Sequence, residues 1–131
     1  MTVAIGLGSR FPAYQTSLGR VLLAELDDET VIELYSRSDT SRTTERTVTS
    51  AEALVEKLGQ VRRCGYAVVD QELEIGVRSV AAPLRDGNGR ALAAVNVSTH
   101  AGRTTLDQVH ETFVPALLQT AADISSALAR R

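Results

Sequence analysis

Three acidic residues alternate in one short stretch of the chain, Asp70, Glu72 and Glu74 within VDQELEIG, and on an extended backbone that spacing would set three carboxylates on one face. Carboxylates grouped in this way can supply oxygen ligands to a hard cation, or serve as a general acid and base. Either role needs convergent partners. The soft ligands, Cys64, His100 and His110, lie far apart in the sequence. The preferred reading of the trio is therefore a solvated strand end, with no catalytic residue, no metal site and no cofactor. The chain also has no nucleophile-elbow, phosphate-loop or dinucleotide glycine pattern. A second candidate is Ser17-Leu18-Gly19-Arg20, because a serine, a glycine and a base in the first turns of a helix can present backbone N–H groups to a carboxylate. Taken from the residues alone, this run reads more simply as helix packing through Gly19, with Arg20 in solvent.

The elements that must position these residues are legible from periodicity. Pro12 suits a first helical turn, and Leu18, Val21, Leu22 and Leu26 fall at helical spacing, which predicts a helix from Pro12 to Leu26. Gly19 inside it costs about 1 kcal/mol against alanine and implies a close approach. Asp27 or Asp28 can cap a short helix, Glu29 to Tyr35, and Ser36 to Thr47 reads as a polar surface loop carrying no chemistry. Thr49-Ser50-Ala51-Glu52 fits a capping box, followed by one apolar face, Ala51, Leu54, Val55, Leu58 and Val61, up to Cys64. Gly65 then launches a strand, Tyr66 to Val69. Val77 to Leu84 and Arg90 to Ser98 flank Asp86-Gly87-Asn88-Gly89 and predict a β-hairpin. Thr104 or Thr105 caps a long last helix, which Pro115 should kink. Thr2 to Leu7 reads as a strand leading into a loop. Strands paired as a hairpin between flanking helices indicate an α+β architecture, an antiparallel sheet with helices packed on it.

Composition narrows the function classes. The 131 residues are 44% hydrophobic and 23% charged, enough apolar content for the core of one domain spanning residues 1–131. A net charge of −2 argues against nucleic-acid binding by this chain alone, which needs a basic surface to neutralise phosphates. One cysteine cannot form an internal disulfide and reads as a packed thiol in a reducing, cytoplasmic setting. No apolar run is long enough to span a bilayer, so no membrane partner is expected.

The stretch GYAVVDQELEIGVRSVAAPLRD with its return strand ending NVS resembles the effector-binding domain of IclR-type bacterial transcription regulators. GSRFPAYQTSLGRVLLAEL, from Gly8 to Leu26, is similar to the start of that domain, so the resemblance covers most of the chain. The wording GSRFPAY with VDQELE is nearer the subgroup serving protocatechuate and β-ketoadipate catabolism than the glyoxylate-sensing members. The resemblance implies a GAF-like fold and an effector cup between sheet and first helix. It reverses the bland reading of the helix start: Ser17 and Leu18, with Gly19 beside them, would touch the effector through backbone. Ser79 would touch it after the GxR element, as would Asn96 and Ser98 on the returning strand. Asn96 and Ser98 are two apart and share a face; buried in an apolar strand they need hydrogen-bond partners, from a ligand or from backbone at the strand end. Val69 stands where glyoxylate-type members carry an acid, which implies a less polar pocket and a larger or more aromatic acid. Phe11, Tyr14 and Tyr66 could wall it, and Arg78 should point to the opposite face, at the sheet surface or a subunit interface.

These readings combine into a ligand-sensing, oligomerising domain that binds a small aromatic or dicarboxylic acid and acts on DNA only through a winged helix-turn-helix. No such pattern precedes Gly8, so the expectation is a fragment of a longer regulator, dimeric or tetrameric. The alternatives are a small enzyme on a GAF-like scaffold using Asp70, Glu72 or Glu74, and an interaction module that pairs through its sheet edge.

Overall fold

The computed structural model describes residues 6–130. The strand expected over Thr2 to Leu7 falls mostly outside them; the described end, Gly6 to Ser9, is a turn closed by the Ser9 N–H on the Gly6 carbonyl. The element order is a 3-10 turn (Ala13–Gln15), α1 (Ser17–Leu23), α2 (Asp28–Arg37), α3 (Ala51–Cys64), β1 (Ala67–Asp70), β2 (Val77–Arg85), β3 (Ala91–His100), α4 (Leu106–Gln108), a π-helical stretch (Val109–Phe113) and α5 (Val114–Ala129).

Antiparallel strands run in the order β1-β2-β3, so the chain is α+β, with β2 in the centre. Val80, Ala81 and Ala82 on β2 are all buried, as a strand covered on both faces requires. Ala81 packs with Tyr14, Val21, Leu54 and Leu58 from α1, α3 and the turn before α1. Val80 and Ala82 pack with Val109, Val114, Leu117 and Ala121 on the other side. Period-two alternation along β2 thus divides the core into two layers of helices around one sheet.

Local chemistry accounts for most boundaries. Asp27 caps α2, accepting from the Thr30 N–H at 2.8 Å. Ser50 caps α3 by accepting from the Ala53 N–H at 3.1 Å, and Gly65 ends it at φ +84, a left-handed conformation that glycine adopts without penalty. The expected capping box does not form at α3, because the third helical position is Ala53. It forms instead at Thr105, whose hydroxyl and backbone N–H engage Gln108. The hairpin turn is held by Asp86 Oδ1, which accepts from the N–H groups of Asn88 and Arg90. The disturbance expected at Pro115 takes the form of the π-helical stretch just before it, in which the Val114 N–H reaches back to the Val109 carbonyl.

The first helix departs from expectation. It does not run from Pro12 to Leu26: the backbone is extended at Thr16 (φ −117°, ψ 150°), whose hydroxyl caps α1 by accepting from the Gly19 N–H. The preceding turn folds back on the helix so tightly that a Cβ at Gly19 would lie 2.2 Å from the Ala13 carbonyl oxygen. The close approach that Gly19 permits is made by the chain's own backbone.

Candidate functional site: a cavity between α1 and the sheet

The register of the sheet aligns the polar residues singled out above. Val69 on β1 lies opposite Ser79 on β2, and Ser79 lies opposite Ser98 on β3. Directly opposed residues of antiparallel strands share a face, so these three form one row across the sheet. Asn96 stands in the next row, opposite Ala81, on the face that packs toward α1. Above this face the start of α1 and the connection between β1 and β2 enclose a cavity of about 530 Å³. Ser17, Leu18, Val69, Ser79, Asn96 and Ser98 all line it, as do Phe11, Gln15 and His100. Gly19 does not. Its role is the backbone contact with Ala13. Asn96 is half-buried and Ser98 exposed, not buried as expected, because β3 is an edge strand among the described residues. The Asn96 amide donates to the Ser98 hydroxyl at 3.3 Å.

The three carboxylates do not share a face. Strand β1 ends at Asp70, and Gln71 takes φ 60°, a left-handed conformation uncommon outside glycine. That residue breaks the period-two alternation, and the side chains beyond it diverge. Asp70 faces away from the cavity and pairs with Arg78, its cross-strand neighbour, at 2.8 Å, and with Arg46 at 3.3 Å. Burial acts to raise the Asp70 pKa, but hydrogen bonds from Arg78 and Gln71, and the charges of Arg78 and Arg46, outweigh it and hold the carboxyl below its usual value. Glu72 turns into the protein and meets Arg20. The guanidinium donates from Nη1 to Oε2 at 2.8 Å and from Nη2 to Oε1 at 2.5 Å, and from Nε to the Tyr14 carbonyl at 3.0 Å. Arg20 is 1% exposed, so the solvated arginine expected at this position is instead a buried, fully engaged one.

Glu74 goes a third way: the residue lines the cavity, but both of its carboxylate oxygens are closed off from the cavity and from solvent. It is 7% exposed, and neither carboxylate oxygen has a hydrogen-bond partner among the described residues. Ser17, another lining residue, has a hydroxyl that is likewise buried and unpartnered. With Asp70 and Glu72 each paired to arginine and Glu74 on a different cavity, an acid–base or metal-binding reading that needs all three together does not survive. Among the described residues no cluster of His, Cys, Asp and Glu has metal-ligating geometry.

The segment between α2 and α3, expected to carry no chemistry, holds the β1–β2 connection in place. Thr47 donates to the Glu72 carbonyl at 2.7 Å and Thr44 to the Gln71 carbonyl at 2.6 Å, while Thr43 donates to Gln15 at 3.0 Å. The sequence signal was the density of threonines there, which is not specific to an anchoring role. Of the aromatic candidates only Phe11 reaches the cavity. Tyr14 packs edge-on to Tyr35 in the core with ring centroids 5.3 Å apart, and Tyr66 meets His110 edge-on, on the other side of the sheet. Arg78 points away from Ser79 as expected, but it is spent within the chain, on Asp70 and the Ala101 and Thr104 carbonyls. Cys64 is exposed rather than packed, its thiol donating to the Tyr66 carbonyl. A second cavity of about 500 Å³ along the β1 edge is lined by Arg46, Lys57, His110 and three of the candidates, Tyr66, Asp70 and Glu72, but by none of the residues expected to touch the effector.

Residues 1–126 match the family described as bacterial transcriptional regulator IclR, C-terminal. The chain belongs to this family. It is 46% identical over 124 residues to the Pca regulon regulatory protein of Pseudomonas putida, covering 95% of this chain and 43% of that protein. A solved structure from Rhodococcus sp. RHA1 superposes with a TM-score of 0.92 at 48% identity, over 99% of this chain and 52% of that one. The inducer-binding domain of PobR from Acinetobacter, solved as a double mutant with 3-hydroxybenzoic acid, superposes with a TM-score of 0.87 at 33% identity, over 92% of this chain and 69% of that one. The chain therefore spans less than half the length of the Pca regulator and about two thirds of the PobR domain. No helix among the described residues is long and apolar enough to cross a membrane.

Proposed function

We propose that this chain is the effector-sensing portion of an IclR-type transcription regulator and that the cavity between α1 and the sheet binds a small organic acid. One observation carries the reading: Ser79 and Ser98, aligned in one row with Val69, join Asn96, Ser17 and Leu18 on the wall of a single cavity of about 530 Å³. A volume of that order with apolar walls and a few polar groups suits a small organic ligand. Val69 and Phe11 make one wall apolar, in keeping with an aromatic or longer acid over a two-carbon acid. The 3-hydroxybenzoic acid complex of the PobR domain supports an aromatic acid as the ligand class. Binding shifts the balance between two states of the regulator by its differential affinity, and so controls DNA binding by a winged helix-turn-helix outside this segment. The protein works as a dimer or tetramer in the cytoplasm; exposed Leu92 and Val97 on edge strand β3 offer apolar surface to a neighbour.

A thermal-shift panel tests the proposal. Small aromatic or dicarboxylic acids at 100 times their Kd should stabilise the native state by about 2.7 kcal/mol, whereas their neutral amides or esters should not. Neutral analogues that stabilise as well as the acids, or glyoxylate outperforming every larger acid, would refute it.

A further inference from the structure

The cavity of about 500 Å³ along the β1 edge shares no lining residue with the one between α1 and the sheet, and the proposed function makes no use of it. Its charges do not balance. Glu72 on its wall is matched by Arg20, while Asp70 serves two guanidiniums at once, Arg78 at 2.8 Å and Arg46 at 3.3 Å. Lys57, which lines the cavity from α3, makes no ion pair among the described residues. Asp107 and Glu111, next in the chain to Leu106 and His110, do not line it. A chain of net charge −2 thus carries a cavity with surplus positive charge, and such a cavity favours an anion.

Hydrogen-bond donors for that anion come from backbone and side chain together. The Gln71 N–H donates to the Val77 carbonyl at 2.9 Å, so by the alternation of an antiparallel pair Val68 and Asp70 turn their own N–H groups away from β2, toward the open edge where the cavity lies. Their carbonyls turn the same way, which leaves the sign of the site to Arg46 and Lys57. His110 reaches the same cavity from the π-helical stretch, a rare backbone form that recurs at functional sites. Its Nδ1 lies 3.3 Å from the Tyr66 hydroxyl, and an anion favours the tautomer in which Tyr66 donates to Nδ1 and Nε2 carries the ring proton.

The rest of the wall is apolar, with Val48, Val61, Val68 and Leu106, and the volume is that of a pocket for a small organic molecule, well above that of a bare inorganic anion. An arginine, a lysine, an imidazole and backbone N–H groups can supply donors to the three terminal oxygens of a phosphate monoester, which carries close to two negative charges at neutral pH. We propose that the β1-edge cavity is a second ligand site that takes a small phosphate monoester, with its phosphoryl group on Arg46, Lys57 and His110 and its organic body against the apolar residues.

Titration calorimetry of the 131-residue chain at neutral pH with phenyl phosphate, inorganic phosphate and phenol tests this. Phenyl phosphate should bind, inorganic phosphate should bind more weakly because it leaves the apolar wall uncovered, and phenol should give no binding heat. Lys57→Gln and Arg46→Gln should each weaken phenyl phosphate by about three- to tenfold, the range for a charged contact at a partly exposed site. Lys57 is exposed and unpaired among the described residues, so Lys57→Gln should keep the wild-type Tm and carries the test even where Arg46→Gln loosens Asp70. Asn96→Ala and Ser98→Ala, which alter the other cavity, should leave phenyl phosphate binding unchanged. The site is overturned if phenyl phosphate does not bind, if phenol binds as tightly, or if Lys57→Gln and Arg46→Gln both keep wild-type affinity. It is equally overturned if Asn96→Ala or Ser98→Ala weakens the ester as much as Lys57→Gln does, since the ester would then occupy the cavity beside α1.

Discussion

Breaking the Arg20–Glu72 pair should destabilise the fold severely, and the structure gives the magnitude. The pair is bidentate, with side chains 2% and 9% exposed, and the third guanidinium donor is committed to the Tyr14 carbonyl. Removing one member strands the other charge away from water, which costs about 3–5 kcal/mol in comparable buried pairs. Taking an unfolding entropy of roughly 2.1 cal/mol/K per residue, 131 residues give about 0.28 kcal/mol/K. Arg20→Met should therefore lower the Tm by about 11–18 °C. Glu72→Gln should fall at or below the low end of that range, because the amide oxygen still accepts one of the two hydrogen bonds. Replacing both partners, Arg20→Met with Glu72→Leu, removes the stranded charge and should recover most of the loss. Differential scanning calorimetry of the two singles and the double completes the cycle, and a large favourable coupling is expected. Glu72 also anchors the connection that carries Leu73, Glu74 and Ile75 onto the cavity wall, so at temperatures where it stays folded Glu72→Gln should bind acids more weakly than wild type. Singles within about 1 kcal/mol of wild type, or a double as unstable as Arg20→Met alone, would refute the reasoning.

Gly19→Ala gains about 1 kcal/mol of helix propensity but drives a methyl to 2.2 Å from the Ala13 carbonyl oxygen, so a net loss of about 2 kcal/mol is expected in urea unfolding; a stabilised variant would show that the turn before α1 yields easily. Asp70→Asn should cost about 1–2 kcal/mol at neutral pH, since a partly buried carboxylate loses two arginine partners. Because the folded pKa of Asp70 lies below its unfolded value, its contribution is present above about pH 4 and disappears as pH falls through the lowered folded value; urea midpoints that converge already near pH 6 would contradict this. Ser79→Ala, Asn96→Ala and Ser98→Ala should each weaken acid binding by about 0.5–1.5 kcal/mol in calorimetry without altering the Tm of the ligand-free chain by more than a few degrees. At physiological salt the chain, with net charge −2, should leave a DNA duplex unshifted in a gel; a salt-sensitive shift would contradict the reading that DNA is bound outside this segment.

Local and periodic signals in the sequence determined the hairpin, the cap of α2, the left-handed stop at Gly65 and the α+β class, because each depends on residues within one or two turns of chain. The same signals put Asn96 and Ser98 on one sheet face, since strand alternation is a local property, whereas Ser79 was named only through the family resemblance and joins them through the sheet register. The individual fates of Asp70, Glu72 and Glu74 were out of reach. They depend on Gln71 leaving the extended conformation, and that backbone is held by threonines roughly 25 residues earlier in the chain, a long-range contact with no periodicity to reveal it. Arg20 looked solvated for the same reason, its partner lying 52 residues away. Gly19 signalled a close approach, but only the fold shows that the approaching group is the Ala13 backbone. Sequence thus determined which side chains lie on which face of each strand; tertiary structure decided which of them keep their charge matched within the chain, and left the Glu74 carboxylate buried with no partner among the described residues, because pairing of buried charges is settled by three-dimensional neighbours and not by sequence spacing.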